Sequence, residues 1–590
     1  MLNNIRLCGL LVGLLFILQS CHDPSSDEFG VEDFNELSSI LNKNILSIQE
    51  IVSRQVNDER LFAVNSSVSD ETLLYFQDEE SPISLYHISE NIPVNYPCIS
   101  ILPEGDDYYW AISKHFIQTG GNNKIRVTDR LHTPTLHFVD GHWVCNVGST
   151  EFIIDDVALS KGYTFVSQAN NDFSLVHFTS GYQLSIPMVG IQIPHALNKA
   201  FYKDIFLDAG IGLTSRKFLY AAQKLDMSLE GISFSRWNAS KKEESLQNEI
   251  LGGNEEDTNG RLLYPDGQPR YKLLFVNGGK STTHASSVNE LSRNNCRLFV
   301  SNGGSYVGTC AGAFFASKGY DQNEDVPSYL SIWPSVMIHT GISDGQTGMF
   351  IEDNSPLLKY YNYGGDHYIS NVRHNGGGYP RDLPEGTEIL ARYDYPSLNK
   401  VHMQPCVWSY KAADNLSGRV VLEGSHPEEA PDGERRDLTA AMIQYAIDGQ
   451  GDAQIKGILQ NGKERVMDKK TEDKNPLFAR IGDMQCHHFI VYIPADAHDI
   501  TIDLKSDVDC DMALMANRGT FAFPDIAEYK TTDGGGNQRL TFQTLEEGAW
   551  YISVQCLTTV DVTETEFGQD YFGRTDVLNG ISYKLYVKWD

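Results

Sequence analysis

Gly303-Gly304-Ser305-Tyr306-Val307-Gly308-Thr309-Cys310-Ala311-Gly312-Ala313 is the stretch on which the reading of this chain turns. It sets a cysteine among small residues, where a strand can turn sharply into a helix. Gly308 and Gly312, two before and two after the cysteine, leave room for a strained turn that lifts the side chain clear of the backbone. The apolar run Ala311 to Ala316 reads as the first turns of a helix. Cys310 then sits at a helix N-terminus, a position that favours the thiolate.

Far downstream, Gly424-Ser425-His426-Pro427-Glu428 follows the strand-like run Arg419-Val420-Val421-Leu422. A cysteine, a histidine and a carboxylate two beyond it supply a nucleophile, a base and a group to orient the base. A protonated His426 nearby favours the thiolate further, and Glu428 holds the imidazole in the useful tautomer. Upstream, Leu273-Leu274-Phe275-Val276 reads as a buried strand opening into Asn277-Gly278-Gly279. Such a glycine-rich turn can aim N–H groups at an oxyanion, with the Ala311 N–H as second donor. The competing reading makes Cys310 a small buried hydrophobe.

These segments carry a resemblance. From about residue 203 to residue 449 the chain resembles the class I glutamine amidotransferase-like fold, an α/β flavodoxin-like architecture. Within that fold it looks most like the domain at the N-terminus of some eukaryotic biotin-protein ligases. The Gly303 to Ala313 signature and the Gly-Ser-His-Pro-Glu segment are shared, as is Asn375-Gly376-Gly377-Gly378-Tyr379. The resemblance implies Cys310 as nucleophile, His426 as base, Glu428 as orienting group, and Gly279 and Ala311 as oxyanion donors. It also implies substrate contacts from Gly278, Asn375, Gly376 and Gly377, although the triple glycine equally reads as an ordinary turn. Nothing resembles a biotin-ligating domain, so biotin chemistry does not carry over. His339, His367 and His374 show no metal-ligand spacing and read as polar surface or pocket residues; neither a metal nor a cofactor is expected.

The N-terminus points to export. Arg6 precedes an apolar run from Leu10 to Leu18, then Gln19-Ser20-Cys21. Residues 1–20 are too short a signal to remain as a spanning helix. They resemble a bacterial lipoprotein signal, which implies lipidation of Cys21; a plain secretory signal is the alternative. The following polar, acidic run His22 to Glu28 resembles the signal that sends lipoproteins to the outer face of the outer membrane, or else is a plain tether. A formal net charge of −31 argues against nucleic acid as a partner. Of ten cysteines, Cys8 leaves with the signal, Cys21 is lipidated and Cys310 stays free; seven remain, so at least one more is unpaired. Cys98 and Cys145 share a β-rich region and could pair.

Along the chain, residues 21–58 form a tether and an amphipathic helix with Phe34, Leu37, Leu41, Ile45, Ile48 and Val52 on one face. That face suits either a short coiled coil that makes a homo-oligomer or packing on its own neighbours. Residues 59–190 are short alternating runs such as Lys124-Ile125-Arg126-Val127. They resemble the β-modules of bacterial surface lipoproteins, with Trp110 and Trp143 either glycan contacts or core. Residues 196–450 alternate strand and helix, which predicts a parallel sheet covered on both faces. Here Ser287 and Glu290 form a capping box opening a helix, and 238–270 is a polar inserted surface loop. Residues 451–590 return to evenly spaced strands, a β-sandwich. Gly548-Ala549-Trp550-Tyr551-Ile552-Ser553-Val554 resembles the pre-peptidase C-terminal domain, which implies an accessory role.

The whole is therefore read as multidomain, an α/β flavodoxin-like centre flanked by all-β modules. Its expected function is an exported, membrane-anchored lipoprotein whose Cys-His-Glu domain hydrolyses a small amide or peptide through a thioester. The alternative is a non-catalytic surface protein that binds glycans or proteins of host or diet through the β-modules. A third reading is a glutaminase feeding a separate partner.

Overall fold

The computed structural model describes residues 30–590 apart from connecting stretches, the longest being 190–199, 209–218 and 233–250. Cys21 and the signal lie outside the described residues, as does the first part of the expected insertion. The chain is multidomain and largely β, and it divides into one compact unit ending at Gln192 and another beginning at Ile193.

The first unit is a long helix, Val31–Val56, against a set of short antiparallel strands. Leu37, Leu41, Ile45, Ile48 and Val52 are buried in this unit's own core. Polar side chains on the same helix tie it to the strands. The Asn44 amide donates to the Tyr86 carbonyl at 2.9 Å and accepts its N–H at 2.7 Å, and Gln49 donates to the Val127 carbonyl at 2.7 Å. Trp110 and Trp143 are core residues here, both buried, so neither ring is presented to a ligand. Cys98 and Cys145 are both buried, and no disulfide joins the two.

The second unit is organised by one long sheet. Its centre is parallel, with strands in the order Val420–Glu423, Ser305–Thr309, Tyr271–Val276, Lys203–Asp208 and Leu229–Ile232. Leu273, Leu274, Phe275 and Val276 are all buried, as expected for strands covered on both faces. The helices Leu219–Lys224 and Gly433–Ile447 contribute to the core on one side. Glu290–Ser301 and Ala311–Ala316 contribute to that on the other. Beyond Val420–Glu423 the sheet turns antiparallel through Pro405–Tyr410, Thr387–Asp394, Gly345–Ile351 and Tyr368–His374.

Two local expectations are corrected. Ser287 does not cap the Glu290–Ser301 helix; it ends the preceding helix Ser281–Ser287, and its hydroxyl donates to the His284 carbonyl. Asn289 takes over, its side chain accepting the Ser292 N–H at 2.8 Å, because Val288 is extended and only Asn289 stands at the true start. Nor is the later part of the polar insertion a surface loop. Leu262, Tyr264 and Arg270 are buried, packed where the two halves of the unit meet.

After residue 451 two sheets enclose a shared apolar core. One runs Ile455–Leu459, Cys486–Ile493, Gly548–Cys556, Met512–Arg518 and Tyr529–Thr531. The other runs Glu464–Met467, Tyr583–Lys588, Ile500–Lys505 and Gln538–Phe542. The hairpin Asp561–Thr565 and Gly568–Phe572 leaves this sandwich and joins the edge of the long sheet, Gly568 pairing with Ile232.

Candidate active site

Cys310 stands where the buried strand Ser305–Thr309 gives way to the helix Ala311–Ala316. Its backbone is at φ 46°, ψ −106°, a region an L-residue enters only under constraint. The constraint is close packing. A Cβ on Gly312 would fall 1.9 Å from the Val276 carbonyl oxygen, so only glycine lets the helix start lie against the neighbouring strand. The Cys310 N–H is held by the Glu423 carbonyl at 2.8 Å, which ties the elbow to the strand that leads to His426.

That adjacent strand ends in Gly424-Ser425-His426, and parallel pairing of Thr309 with Glu423 brings the two chain ends to one side of the sheet. His426 Nδ1 lies 3.1 Å from Glu428 Oε1, and the same oxygen accepts the Thr309 hydroxyl at 3.0 Å. With Nδ1 on the carboxylate, Nε2 is the nitrogen left for the thiol. Gly278 marks how near the partners come: a Cβ there would meet His426 Cε1 at 2.2 Å and Cys310 Cβ at 3.2 Å. Burial alone would lower the imidazole, but the charges of Cys310 and Glu428 and the hydrogen bonds to both outweigh it. Together they push His426 up to about 11. That upward push is the one felt beside an ionised Cys310.

The turn at Asn375 closes the site. The Cys310 thiol donates to the Asn375 carbonyl at 3.6 Å, and the Gly377 carbonyl accepts the Thr340 N–H and hydroxyl at 2.9 and 3.0 Å. His426 N–H donates to the Arg373 carbonyl at 2.8 Å, so the two loops run side by side. Fully buried His374 pins them together. Its ring bridges Thr340 Oγ1 at 2.7 Å and Ser425 Oγ at 2.9 Å, and burial pushes it down to about 4, so it stays neutral.

Cys310, His426, Glu428, Gly278, Asn375, Gly377 and Ala311 thus converge on one place. Gly279 follows Gly278 at φ 138°, in the glycine-rich turn at the end of the Tyr271–Val276 strand. Gly376 faces open space, with nothing within 4 Å of the position a Cβ would take. His339 and His367 are engaged elsewhere, Nδ1 of each on Asp321 at 2.8 Å and Asp353 at 3.3 Å. Sequence reasoning missed Thr309, Thr340 and Ser425, and read His374 only as a polar surface or pocket residue. Thr309 and Ser425 lie inside the quoted motifs and could have been weighed; the pairing of Thr340 with His374 leaves no mark in the order of residues.

A family model described as "Biotin-protein ligase, N terminal" matches residues 265–329, which include the Gly303 to Ala313 stretch. No curated protein matches the chain. Among solved structures, a putative ThuA-like protein from Bacteroides uniformis is 13% identical over 44% of this chain and 98% of its own, with a TM-score of 0.26. The pre-peptidase C-terminal domain of collagenase from Bacillus anthracis is 13% identical over 22% of this chain and 90% of its own, with a TM-score of 0.14. One stretch of the second unit, carrying the elbow and its cysteine, is therefore similar to the biotin-protein ligase N-terminal family.

Proposed function

We propose that the Cys310 site is a cysteine amidohydrolase or peptidase, built in a domain of the class I glutamine amidotransferase-like, flavodoxin-like kind. One observation carries the reading: a strained cysteine at a strand–helix joint faces a histidine whose far nitrogen is held by a buried carboxylate. In that arrangement the Cys310 thiolate attacks the carbonyl carbon of the amide, and the protonated His426 gives its proton to the departing amine. A thioester remains. Neutral His426 then takes a proton from water as the water oxygen attacks the thioester, and the thiolate leaves as it began. The N–H groups of Gly279 and Ala311 are the donors proposed for the oxyanion.

The test is hydrolysis of a panel of glutamine, γ-glutamyl and peptide amides. Cys310→Ala and His426→Ala should each cut kcat by about a thousandfold or more, because nucleophile and base act as a unit. Equal rates for wild type and Cys310→Ala rule out this thiol for those substrates. A second reading, a surface binding protein that keeps the fold without turnover, is favoured by the closed state of the thiol. Cys310 is 3% exposed and its sulfur is covered by the Asn375 carbonyl. No hydrolysis of any panel member by wild type selects that reading.

The protein is further proposed to be an outer-membrane lipoprotein held at the cell surface through Cys21. The lipobox-like Leu18-Gln19-Ser20-Cys21 supports it. Fractionation decides: Cys21→Ala should move the protein from the membrane pellet to the soluble fraction, and retention in the pellet sinks the anchor.

A further inference from the structure

Behind the Cys310 site lies a second carboxyl that the chemistry above does not use. Glu423 is the last residue of its strand and is fully buried; neither of its side-chain oxygens has a hydrogen-bond partner of good geometry, the Ser425 N–H being the one donor that pulls on the carboxyl. Its strand register places it beside Thr309. Paired residues on neighbouring strands project to the same face of a sheet. On that face the Thr309 hydroxyl binds Glu428 Oε1, while Glu428 Oε2 is buried and also without a partner. Two buried carboxyls therefore present unsatisfied oxygens on one side of the sheet. Two carboxylates sharing a buried site cannot both stay ionised. If one keeps its proton, that proton can satisfy an oxygen of the other.

We propose that Glu423 is a positioning residue of the Cys310 site: a neutral carboxylic acid that donates its proton in a hydrogen bond to Glu428, directly or through one water, and so keeps Glu428 anionic against His426.

The division of roles follows from the neighbours. Glu428 already accepts Thr309 and His426 and lies beside the imidazolium, so it is the member that stays charged. Among the described residues Glu423 forms no ion pair with Lys or Arg. Burial and then the charge of Glu428 push its carboxyl far above the usual carboxylate range, against the opposing pull of His426. The other titratable groups that feel it are Cys310, Tyr393 and Cys406. An ionised Glu423 would add a negative charge beside a thiolate and a carboxylate that share one imidazolium. As an acid it adds none and supplies a donor. Without the donor, Glu428 is a less stable anion, His426 holds its proton less firmly, and the thiolate forms only at higher pH.

The inference rests on the Cys310–His426–Glu428 reading, but its test needs no substrate. The rate of Cys310 alkylation by iodoacetamide is followed against pH in the full chain, with Cys310→Ala as the blank for other thiols. Glu423→Gln keeps the size, the neutrality and an N–H donor. Its rate and the position of its acid limb should stay within about threefold of wild type. Glu423→Leu keeps the bulk and loses the donor. Its acid limb should move up by about one pH unit, which is about tenfold slower alkylation below the limb. Equal losses in Gln and Leu variants, or no change in the Leu variant, overturn the proposal. Where Glu423→Leu lacks cooperative unfolding, an infrared difference spectrum of wild type minus Glu423→Gln at neutral pH decides. A protonated-carboxyl C=O stretch assigned to Glu423 is the expected result, and its absence overturns the proposal. A protein that hydrolyses nothing but shows these shifts keeps Glu423 in its role and loses only the assigned reaction.

Discussion

At the scale of single residues, the site is set by where a side chain cannot be tolerated. Gly377 and Gly376 are neighbours in one turn and separate two kinds of requirement. A Cβ on Gly377 would stand 1.6 Å from the Gly424 carbonyl oxygen, a backbone atom that can yield only if the His426 loop moves. A Cβ on Gly376 would meet nothing, but its φ of 71° suits glycine. Gly376→Ala should therefore cost only the strain of a left-handed alanine, about 1 kcal/mol, and leave Cys310 alkylation close to wild type. Gly377→Ala should cost more, roughly 2–4 kcal/mol by the measure of overpacked backbone contacts, and slow alkylation as His426 is displaced. Thermal unfolding and thiol labelling of the two variants give the comparison. Equal behaviour of the pair would mean that the loops do not seat one another. Cys310 differs from both, since it holds a strained backbone with a full side chain and no glycine relief. Strain of this kind persists only where the surroundings over-determine it, here Gly312 on Val276 and the Cys310 N–H on Glu423.

At the scale of elements, what could be read in advance was what local pattern dictates. The run at Leu273 is a buried strand because four apolar residues between turn signals can be little else in a protein that alternates strand and helix. The helix Val31–Val56 carries its apolar stripe at the expected spacing, though spacing alone could not say which surface receives it. Helix starts were less legible. Ser287 and Asn289 are both good caps, and the choice between them depends on Val288 being extended, a matter of packing rather than composition. The histidine and cysteine loops could be joined by their chemistry, but His374 could not, because a buried neutral imidazole and a surface one look alike in sequence. Glu423 was hidden for a similar reason: an acidic residue closing a strand reads as solvated until the sheet shows nothing but protein around it.

At the scale of the whole molecule, the strands after residue 451 are bound to the parallel sheet by features that no local pattern announces. Arg270 and Asp483 are both buried and pair at 2.7 Å, with Arg270 also donating to the Tyr571 hydroxyl at 2.8 Å. Lys456 and Asp266 form a second buried pair at 2.6 Å, and the Tyr264 hydroxyl donates to the Asp483 carbonyl at 2.9 Å. The hairpin ending at Phe572 then continues the long sheet past Leu229–Ile232. Removing one partner of a buried ion pair leaves a charge with neither water nor counterion, and costs about 3–5 kcal/mol. A chain cut after Gln450 would strand Arg270 and Asp266 together and expose a sheet edge with unpaired N–H and C=O groups. Three expressed pieces should therefore behave differently. Residues 30–192, with a core of their own, and residues 193–590 should each unfold cooperatively, while residues 193–450 should aggregate or melt without a transition. Asp483→Ala in the full chain isolates the electrostatic part and should lower the stability of the second unit alone by roughly the cost of one broken pair. A piece spanning 193–450 that melts in a single sharp transition would show that the sheet and its cysteine elbow stand without their β-sandwich. The accessory role expected for that sandwich would then be its main one. Failure of that piece, with 193–590 intact, makes the sandwich a structural part of the Cys310 domain.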